Sequence, residues 1–525
     1  MPVLGAFSSP LQIATPRVHL RRAILGIVGS AAAASSADSS SLIASNTFKV
    51  STFNLLCPAY RRMVGEPDSV REESYPQTWR RRQGQILDLD LWDSDIICCQ
   101  EFWYGNKECF DLYVDTLRSS YNMYGLQRPG PTGLRPDGLF MAIRKEWEVI
   151  SESDIDFADA AGRCAQLLHL RRVGSSEAQD GQPSGGGARQ DAGSTSTSTS
   201  STLGSSSFSS RPTELIVANV HLLFPHNEAS VRIRVREVHK MLSFLEQYKK
   251  SLSGPPPASL ICGDFNGEVS SRVVQFLMRY GWQCTFSAAR GSADSKTSEP
   301  EDPAAPPRWV SHFTHENRAV GVDYIWLSNP SQPRLPVPDW TDFVFSEMAE
   351  QLARCGFNRP ADAWLYFRSL GEASASPKGE SIEAADALTG SQKLDDATQP
   401  LGAEAFRIAL ASLDNERGDA LSTLTEAEVA TLVSSCDRDG DGCVDRGEWC
   451  SRFAEALRRL SGEGLITDTD DDAGDLHVED STLYPVCLED GAWPDVEDWA
   501  LSDHGVLTSR FILRSHHRDG KGDSV

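Results

Sequence analysis

Residues 437–448 constrain the fold of this chain more than any other segment. Acidic residues stand at the first, third, fifth, ninth and twelfth positions, which are Asp437, Asp439, Asp441, Asp445 and Glu448. Gly442 stands sixth, where such a loop must turn sharply, and Cys443 stands seventh, where only a backbone carbonyl is needed. Loops of this pattern surround Ca²⁺ with oxygen ligands. We therefore predict a calcium-binding EF-hand loop, in which Glu448 offers both carboxylate oxygens and Asp445 acts directly or through water.

Helical sequence flanks this loop on both sides, at 425–435 and at 449–460. Because EF-hands usually pair, the segments 360–367 and 402–413 are candidates for the helices of a first hand. The sequence between them lacks a ligand pattern, so we expect a degenerate hand that binds no calcium. Val444, at position eight of the loop, should pair with a neighbouring loop.

The composition restricts the partners of the chain and its compartment. With 525 residues the chain is long enough for two or three units, and its net charge is −24. This charge argues against non-specific binding to duplex nucleic acid, which requires clustered Lys and Arg. The 12 Cys include no C-x-x-C pair, so we expect neither a zinc site nor a disulfide framework, and a reducing compartment fits better. We also expect no transmembrane segment.

The first 45 residues have the composition of a transit or signal segment. Residues 1–37 contain no Asp or Glu and carry Arg17, Arg21 and Arg22 among many Ser and Ala. This pattern is typical of transit to a plastid or mitochondrion. The Arg pair before the apolar stretch 23–28 also fits a secretory or twin-arginine signal, and a disordered tail is the third interpretation. Without transit, we expect an intracellular protein of the cytoplasm.

Beyond residue 46, short apolar strands alternate with amphipathic helices, which favours a layered α/β enzyme. The predicted parts are a catalytic domain at 46–344 with a disordered loop at 173–212, an EF-hand pair at 345–465, the last part of the catalytic domain at 466–515, and a tail at 516–525. The predicted helices include 79–92, 229–248 and 271–280, and a second loop is predicted at 288–307. Polar residues recur at strand ends, where α/β enzymes bind their ligands.

Five short motifs place metal- and phosphate-binding residue types at these strand ends. They contain Asn54, Glu101, Asp264 with Asn266, Asp323, and Asp503 with His504. Asp264 and Asn266 are two residues apart, so their side chains point the same way on a strand. A carboxylate there can orient or deprotonate a water, and an amide can hold a phosphate oxygen. Glu101 ends a buried strand, an expensive place for a charge without a cation, and Asp323 can orient the imidazole of His504.

Several other residues near these motifs allow two interpretations. Arg61, Arg62 and Arg80–Arg82 either line a substrate path as phosphate contacts or form a solvated helix face, and the second is favoured. Phe102, Trp103 and Tyr104 either stack on a base or pack in the core. His312 and His315 could lie near the cleft but are assigned no role.

Together and in this order, the motifs resemble the endonuclease/exonuclease/phosphatase superfamily over most of 48–343 and 480–514. The segments most similar to its deadenylase-like branch are 52–60, 79–82, 95–101, Asp137 with Gly138, and 217–222. The segments 221–227 and 309–312 resemble a plant and algal subgroup that carries an internal EF-hand. The resemblance implies a four-layer α/β sandwich, with an all-α EF-hand pair inserted before the last catalytic motif.

The resemblance also implies a role for each residue. Glu101 and Asp503 would bind Mg²⁺ (or Mn²⁺), with Asn54 nearby on metal or phosphate. Asp264 would orient or deprotonate the attacking water, while His221 and Asn266 would hold the phosphate. His504, oriented by Asp323, would stabilise the charge that develops on phosphorus, and Asp137 matches an acidic position on the substrate side.

We therefore expect a Mg²⁺-dependent phosphodiester hydrolase, foremost a 3′ exonuclease of single-stranded RNA similar to deadenylases, with the calcium-binding hand as a candidate regulator. A second hypothesis keeps the chemistry and changes the substrate to a phosphoinositide, sphingomyelin or a small phosphorylated metabolite. A third hypothesis is a calcium sensor on an inactive scaffold, and the intact set of acid, amide and His residues argues against it.

Overall fold

The computed structural model describes residues 47–157, 162–173, 213–225, 228–291, 309–373, 399–414, 424, 426–460, 464–469, 474–495 and 498–513. The segment 1–45, nearly all of the loop 173–212 and the tail 516–525, for which predictions were made, lie outside these residues. None of the described helices is long and apolar enough to cross a membrane.

Two six-stranded sheets form the centre of the described structure. The first has the order β15-β16-β1-β2-β4-β3 and the second the order β5-β6-β7-β8-β12-β9. The strands of the first sheet are β1 (Thr47–Asn54), β2 (Ile96–Trp103), β3 (Tyr121–Gly130), β4 (Gly133–Arg144), β15 (Leu476–Tyr484) and β16 (Val506–Leu513). Those of the second are β5 (Trp147–Asp156), β6 (Cys164–Arg172), β7 (Glu214–His221), β8 (Ala258–Asp264), β9 (Gln283–Cys284) and β12 (Asp323–Ser328). Most neighbouring strands are antiparallel, whereas β1 with β2 and β7 with β8 are parallel.

The two sheets pack face to face, and helices cover their outer faces. Alternation along β2 shows the arrangement, because Cys98 joins the core between the sheets while Cys99 joins the core beneath the first helices. Helices α1 (Pro76–Leu87) and α2 (Lys107–Leu117) cover the first sheet, and α3 (Glu228–Ser251) and α4 (Arg272–Arg279) cover the second. The result is a mixed α/β structure of four layers.

Helices also dominate the segment between β12 and β15. They are α6 (Trp340–Arg354), α7 (Pro360–Ala373), α8 (Ala403–Asp414), α9 (Glu426–Cys436) and α10 (Arg446–Leu460). The two-residue strands β13 (Leu401–Gly402) and β14 (Cys443–Val444) pair antiparallel. Val444 is fully buried opposite Leu401, so the pairing expected at position eight of the acidic loop is present. A short hairpin, β10 (His312–Phe313) with β11 (Ala319–Val320), precedes β12.

The structure corrects several predicted boundaries. The helix predicted at 79–92 begins at Pro76, whose missing N–H costs nothing in a first turn, and it ends at Leu87 before a separate 3-10 turn at 90–93. Helix α5 (Thr285–Gly291) occupies the start of the loop predicted at 288–307. The predicted domain boundary at 345 falls inside α6, which is capped by the Asp339 side chain. The strands β3 and β5 were not predicted, because Gly, Pro and exposed acidic residues interrupt their apolar pattern.

Candidate active site

Strand register brings the predicted site residues to one edge of the stacked sheets. In the second sheet, Asp264 at the end of β8 lies opposite His221 of β7 and Asp323 of β12. In the first sheet, β1 ends at Asn54 beside the end of β2, since the two strands run parallel. The segment before β16 carries Ser502, whose hydroxyl donates to the Asn54 carbonyl at 2.7 Å. Residues from five separate motifs therefore meet in one cleft.

Asp264 lies at the centre of this cluster and is 1% exposed. Its Oδ2 accepts a hydrogen bond from Asn54 Nδ2 at 3.1 Å and lies 3.5 Å from His221 Nε2 and 3.6 Å from His504 Nε2. Its Oδ1 accepts from the Asn266 backbone N–H at 2.8 Å. Burial raises the pKa of Asp264, against the opposing influence of His504.

His504 forms a dyad with Asp323. Its Nδ1 is 2.9 Å from Asp323 Oδ2, and the carboxylate is fully buried. Burial alone lowers the pKa of His504, but Asp323 and Asp264 outweigh burial and raise it to about 10. This pKa favours the imidazolium form of His504, with Nδ1 at Asp323 and Nε2 directed towards Asp264.

Glu101 reaches the same cleft through a distortion of β2. The pairing of β2 with β4 shifts between Cys99 and Phe102, and Glu101 has a φ of 53°, in the left-handed region that non-glycine residues seldom occupy. Its Oε2 accepts from the Cys57 N–H at 3.0 Å, and its Oε1 lies 4.0 Å from His221 Nε2. Burial, then the charges of Asp503 and Asp137, raise the pKa of Glu101 to about 7. A carboxyl group so close to other acids is a natural cation ligand.

The two amides of the cleft face protein groups. Asn54 directs Nδ2 to Asp264 and, at 3.5 Å, to Glu101 Oε1, while its oxygen accepts from the Leu56 N–H. Asn266, with a φ of 47°, donates from Nδ2 to the Leu222 carbonyl at 2.9 Å. Asn54 therefore donates hydrogen bonds to two acids of the cleft. The side chain of Asp503, by contrast, is 38% exposed to solvent.

Asp137 differs from the expectation of a substrate-side acid. It is 1% exposed, and both of its oxygens are engaged by Arg128, whose Nη2 lies 2.8 Å from Oδ1. The Tyr60 hydroxyl also donates to Oδ1, at 2.5 Å. Burial and the Asp137 charge raise the pKa of Tyr60. Asp137 therefore holds Arg128 and Tyr60 in place. Its carboxylate is occupied by these two residues and does not face a substrate directly.

For several arginine and aromatic residues, the structure decides between the two interpretations that the sequence allowed. Arg82 is neither a phosphate contact nor part of a solvated face, because it is 3% exposed, paired with Glu72, and bonded to the carbonyls of Leu55, Leu56 and Leu501. Arg80 pairs with Glu108 at the surface. Phe102 is fully buried and stacks on Phe140 at 4.5 Å, so it packs in the core.

Sequence reasoning assigned no role to His312, which lies in the site. Its ring stacks on His504 with centroids 4.1 Å apart, and its Nδ1 is 3.0 Å from the Asp503 carbonyl. Burial, then the His504 charge, lower the pKa of His312 to about 3. The Ser311 hydroxyl donates to Asp323 Oδ2 at 2.7 Å. Strand β10 has only two residues, so it shows no alternating pattern that could have predicted these contacts. The one available signal was the Trp-Val-Ser-His segment itself.

The acidic loop forms a compact turn between α9 and α10. Asp437 accepts from the N–H groups of Gly440 and Gly442, and Glu448 accepts from those of Arg438 and Asp445. Carboxylate oxygens of Asp437, Asp439 and Asp441 lie within 4.8 Å of one another. Positive φ values of 75° at Gly440 and 81° at Gly442 explain why glycine stands there.

Taken together, the fold and the cleft define an α/β protein of stacked sheets, with an acid–imidazole site at one edge and an acidic loop in the helical segment between β12 and β15. The sequence is 31% identical over 483 residues to an uncharacterized calcium-binding protein of Arabidopsis thaliana, an alignment that covers 90% of this chain and 85% of that protein. The chain belongs to the family of that protein. No family model matches the sequence.

Solved structures with some similarity include several described as endonuclease/exonuclease/phosphatase proteins. The human Nocturnin catalytic domain, solved with bound sulfate, is 17% identical and has a TM-score of 0.36, over 56% of this chain and 89% of that chain. ANGEL2, described as a 2′,3′-cyclic phosphatase, is 15% identical with a TM-score of 0.34, over 54% and 84%. A family protein from Bacteroides thetaiotaomicron is 12% identical with a TM-score of 0.35, over 55% and 83%. Such scores assign no activity to this chain.

Proposed function

We propose that this protein is a divalent-metal-dependent phosphodiester hydrolase. The observation that carries the proposal is the convergence of Asp264 with two imidazoles, those of His221 and His504, which lie 3.5 and 3.6 Å from one carboxylate oxygen. Phosphodiester hydrolysis requires an activated water and stabilisation of negative charge on the phosphoryl oxygens. A buried carboxylate beside an imidazolium provides groups suited to both tasks.

Each protein group has a task in this proposal. Asp264 accepts the proton of the attacking water or orients it, since burial raises its pKa towards that of a useful base. His504, charged and held by Asp323, donates from Nε2 to a phosphoryl oxygen as negative charge develops there. His221 remains neutral, because burial and then Arg163 and Arg128 lower its pKa. It therefore offers a hydrogen bond without adding a charge.

The donors beside Asp264 fit a hard divalent cation. Glu101 and Asp503 supply only oxygen, and burial, followed by the charge of Asp503, raises the pKa of Glu101, so a cation would favour its ionised form. Few protein ligands and retained waters are typical of Mg²⁺ sites. A bound Mg²⁺ or Mn²⁺ would neutralise phosphoryl charge. Glu101 and Asp503 would hold it, with the Asn54 amide adjacent.

The substrate that we propose first is single-stranded RNA, cleaved from its 3′ end. A phosphoinositide, sphingomyelin or a small phosphorylated metabolite is the second class, and the sequence resemblance supports both. The deciding experiment is hydrolysis of labelled poly(A), mixed RNA, single-stranded DNA, a phosphoinositide and sphingomyelin with Mg²⁺ or Mn²⁺. RNA that stays intact while a lipid is cleaved would overturn the RNA proposal. No cleavage of any substrate would overturn the hydrolase proposal.

We further propose that residues 437–448 bind Ca²⁺ as an EF-hand, whose neighbour in the pair is degenerate. The relative from Arabidopsis is itself described as calcium-binding. The carboxylates of Asp437, Asp439 and Asp441 already converge, and Glu448 ends the loop at the start of α10. Calcium binding measured by calorimetry should be lost in Glu448→Gln. Equal affinity in the variant would contradict this assignment of the twelfth ligand.

The same calcium loop is proposed to regulate the cleft through α6. Arg452 and Arg459 of α10 each approach Asp342 of α6, at 2.7 and 2.6 Å. Helix α6 packs in turn on α3, where Phe343 stacks on His239 at 4.2 Å. A second possible route is the tether that leads from the loop to His504, which passes Ile466, whose backbone bonds to Arg334 in both directions.

A further inference from the structure

Residues 310–313 are attached to the segment that carries the last site residues. The Val310 N–H donates to the Leu488 carbonyl at 2.9 Å, and the Phe313 N–H donates to the Asp503 carbonyl at 2.8 Å. The Gly505 N–H donates back to the Ser311 carbonyl at 2.7 Å. His312 and His504 thereby lie opposite each other in an antiparallel bridge. The backbone alone fixes the separation of these two residues.

Ser311 organises the acid of the dyad. Its hydroxyl donates to Asp323 Oδ2 at 2.7 Å and accepts the N–H groups of Val322 and Asp323, each at 3.0 Å. The same Oδ2 faces His504 Nδ1. Since the hydroxyl is fully buried and bonded in three directions, it has no freedom to rotate. Ser311 therefore fixes the oxygen that orients His504.

His312 packs on one face of the His504 imidazole. The hydrogen bond to Asp323 holds the His504 ring at its Nδ1 edge, so its tilt about that bond depends on contacts with the ring face. The His312 ring lies against it at 4.1 Å with 27° between the planes. The carbonyl of Asp503 can only accept, so Nδ1 of His312 carries the proton that bonds to it, and the His312 ring is itself held at one edge.

We propose that the consecutive residues Ser311 and His312 are a positioning pair for the Asp323–His504 dyad. Ser311 bonds to the Asp323 carboxylate, and His312 packs on the face of the His504 ring. His312 restricts the tilt of the His504 ring, and Ser311 restricts the Asp323 carboxylate. The kinetic consequence rests on the proposed function, because it requires His504 to act on a phosphoryl group. Misplacement of a reacting group by about 1 Å can cost about 100-fold in rate.

The kinetic test uses bis(p-nitrophenyl) phosphate with Mg²⁺ or Mn²⁺ and the full chain. We expect kcat to fall about 10- to 100-fold in His312→Ala with KM changed less than about 2-fold, because ring placement and not binding is lost. His312→Phe keeps a flat ring on His504 and should stay within about 3-fold of wild type. His315→Ala, at an exposed histidine three residues further on, is the matched control. Equal kcat in His312→Ala and wild type would overturn the proposal.

Ser311 is tested by a pair of variants. Ser311→Ala removes the donor to Asp323 and should lower kcat, whereas Ser311→Thr keeps a hydroxyl and should restore it. Thermal unfolding of each variant shows whether a fall in kcat accompanies a loss of folding. Equal kcat in Ser311→Ala and Ser311→Thr, with both folded, would contradict a role for the hydroxyl.

A spectroscopic measurement separates this proposal from the proposed function. The Nδ1 proton shared by His504 and Asp323 should give a low-field NMR resonance that disappears in His504→Gln. We expect it to exchange faster with water in His312→Ala and to persist in His312→Phe. An unchanged resonance in both His312→Ala and Ser311→Ala would overturn the positioning pair. A wild type that cleaves no phosphodiester would overturn the function alone, and the resonance would still decide on the pair.

Discussion

Asp323 and His504 are 181 positions apart in the chain, yet their side chains meet at 2.9 Å. Between them the chain passes through five described helices, including both that flank the acidic loop. The dyad forms because Asp323 starts a strand paired with β8, and His504 precedes a strand paired with β1. The two stacked sheets, and not the sequence between the residues, determine their distance.

Replacement of Asp264 tests the centre of the site. Asp264→Asn keeps the shape of the side chain but removes the carboxylate that we propose as the base, so kcat should fall by about 10²- to 10⁴-fold. Asp115→Asn, an acid on α2 whose side chain is 66% exposed, is the control and should keep wild-type activity. Rates are measured with bis(p-nitrophenyl) phosphate and saturating Mg²⁺. Unchanged activity in Asp264→Asn would contradict the site assignment.

Arg82 should be essential for folding of the cleft. Its guanidinium pairs with fully buried Glu72 and holds three backbone carbonyls next to the site. Arg82→Ala would leave Glu72 buried without its main partner, which costs about 3–5 kcal/mol. Arg81→Ala, at the exposed neighbouring position of α1, should change the free energy of unfolding by less than about 0.5 kcal/mol. Urea unfolding of the two variants should therefore separate them clearly, and equal stabilities would refute the prediction.

Gly263 precedes Asp264 and should tolerate no side chain. Its φ is +144°, and a Cβ there would lie 2.0 Å from the Val220 carbonyl oxygen of the neighbouring strand. Gly263→Ala should destabilise the protein by at least about 3 kcal/mol and reduce activity, since β7 and β8 must separate to admit the methyl group. At Gly254 a Cβ would meet nothing within 4 Å, so Gly254→Ala is the control. Calorimetry measures both, and similar melting temperatures would show that the strands yield without cost.

His239 should contribute to acid sensitivity. Burial lowers its pKa from 6.5 to about 4, and its Nε2 bonds to the Pro338 carbonyl. The unfolded chain therefore binds a proton below about pH 6.5 that the folded chain resists until about pH 4. Stability is lost as the pH falls through this window, by up to about 3 kcal/mol from this group. In His239→Phe, which cannot titrate, the free energy of unfolding should fall less between pH 7 and pH 4.5. Parallel pH profiles would exclude His239 as the cause.

Asp342 should connect the helix that follows the acidic loop to α6. Asp342→Asn leaves Arg452 and Arg459 without their carboxylate on α6, although Glu455 remains near both. We expect faster hydrogen exchange in α10 and a smaller effect of Ca²⁺ on hydrolysis at fixed Mg²⁺. Glu404→Gln removes an exposed pair with Arg407 on α8 and is the control. A calcium response identical in Asp342→Asn and wild type would rule out α6 as the route.

Glu101 and Asp264 were predictable from sequence because each follows a buried run of a strand, Ile96–Gln100 and Ala258–Gly263. The contacts of Asp137 were not, because its partner Arg128 lies in an irregular strand and only tertiary pairing brings them together. Arg82 was misjudged for a related reason. A run of three arginines indicates a solvated face, whereas the third one turns inward towards Glu72. Local patterns identify chemistry at strand ends, but they do not show which charges are buried in pairs.

The backbone bonds between Arg334 and Ile466 have a consequence for how this chain can change over evolutionary time. The chain leaves the second sheet at Ser328, and shortly afterwards Arg334 bonds to the returning chain at Ile466, with N···O distances of 2.9 and 2.8 Å. The salt bridges from Arg334 to Glu246 and Asp468 secure the same point. Because departure and return are joined at this point, the part of the segment beyond α6, which itself packs on α3, can change in length without moving either sheet. The junction is thus a natural place at which a different helical segment could join the same pair of sheets.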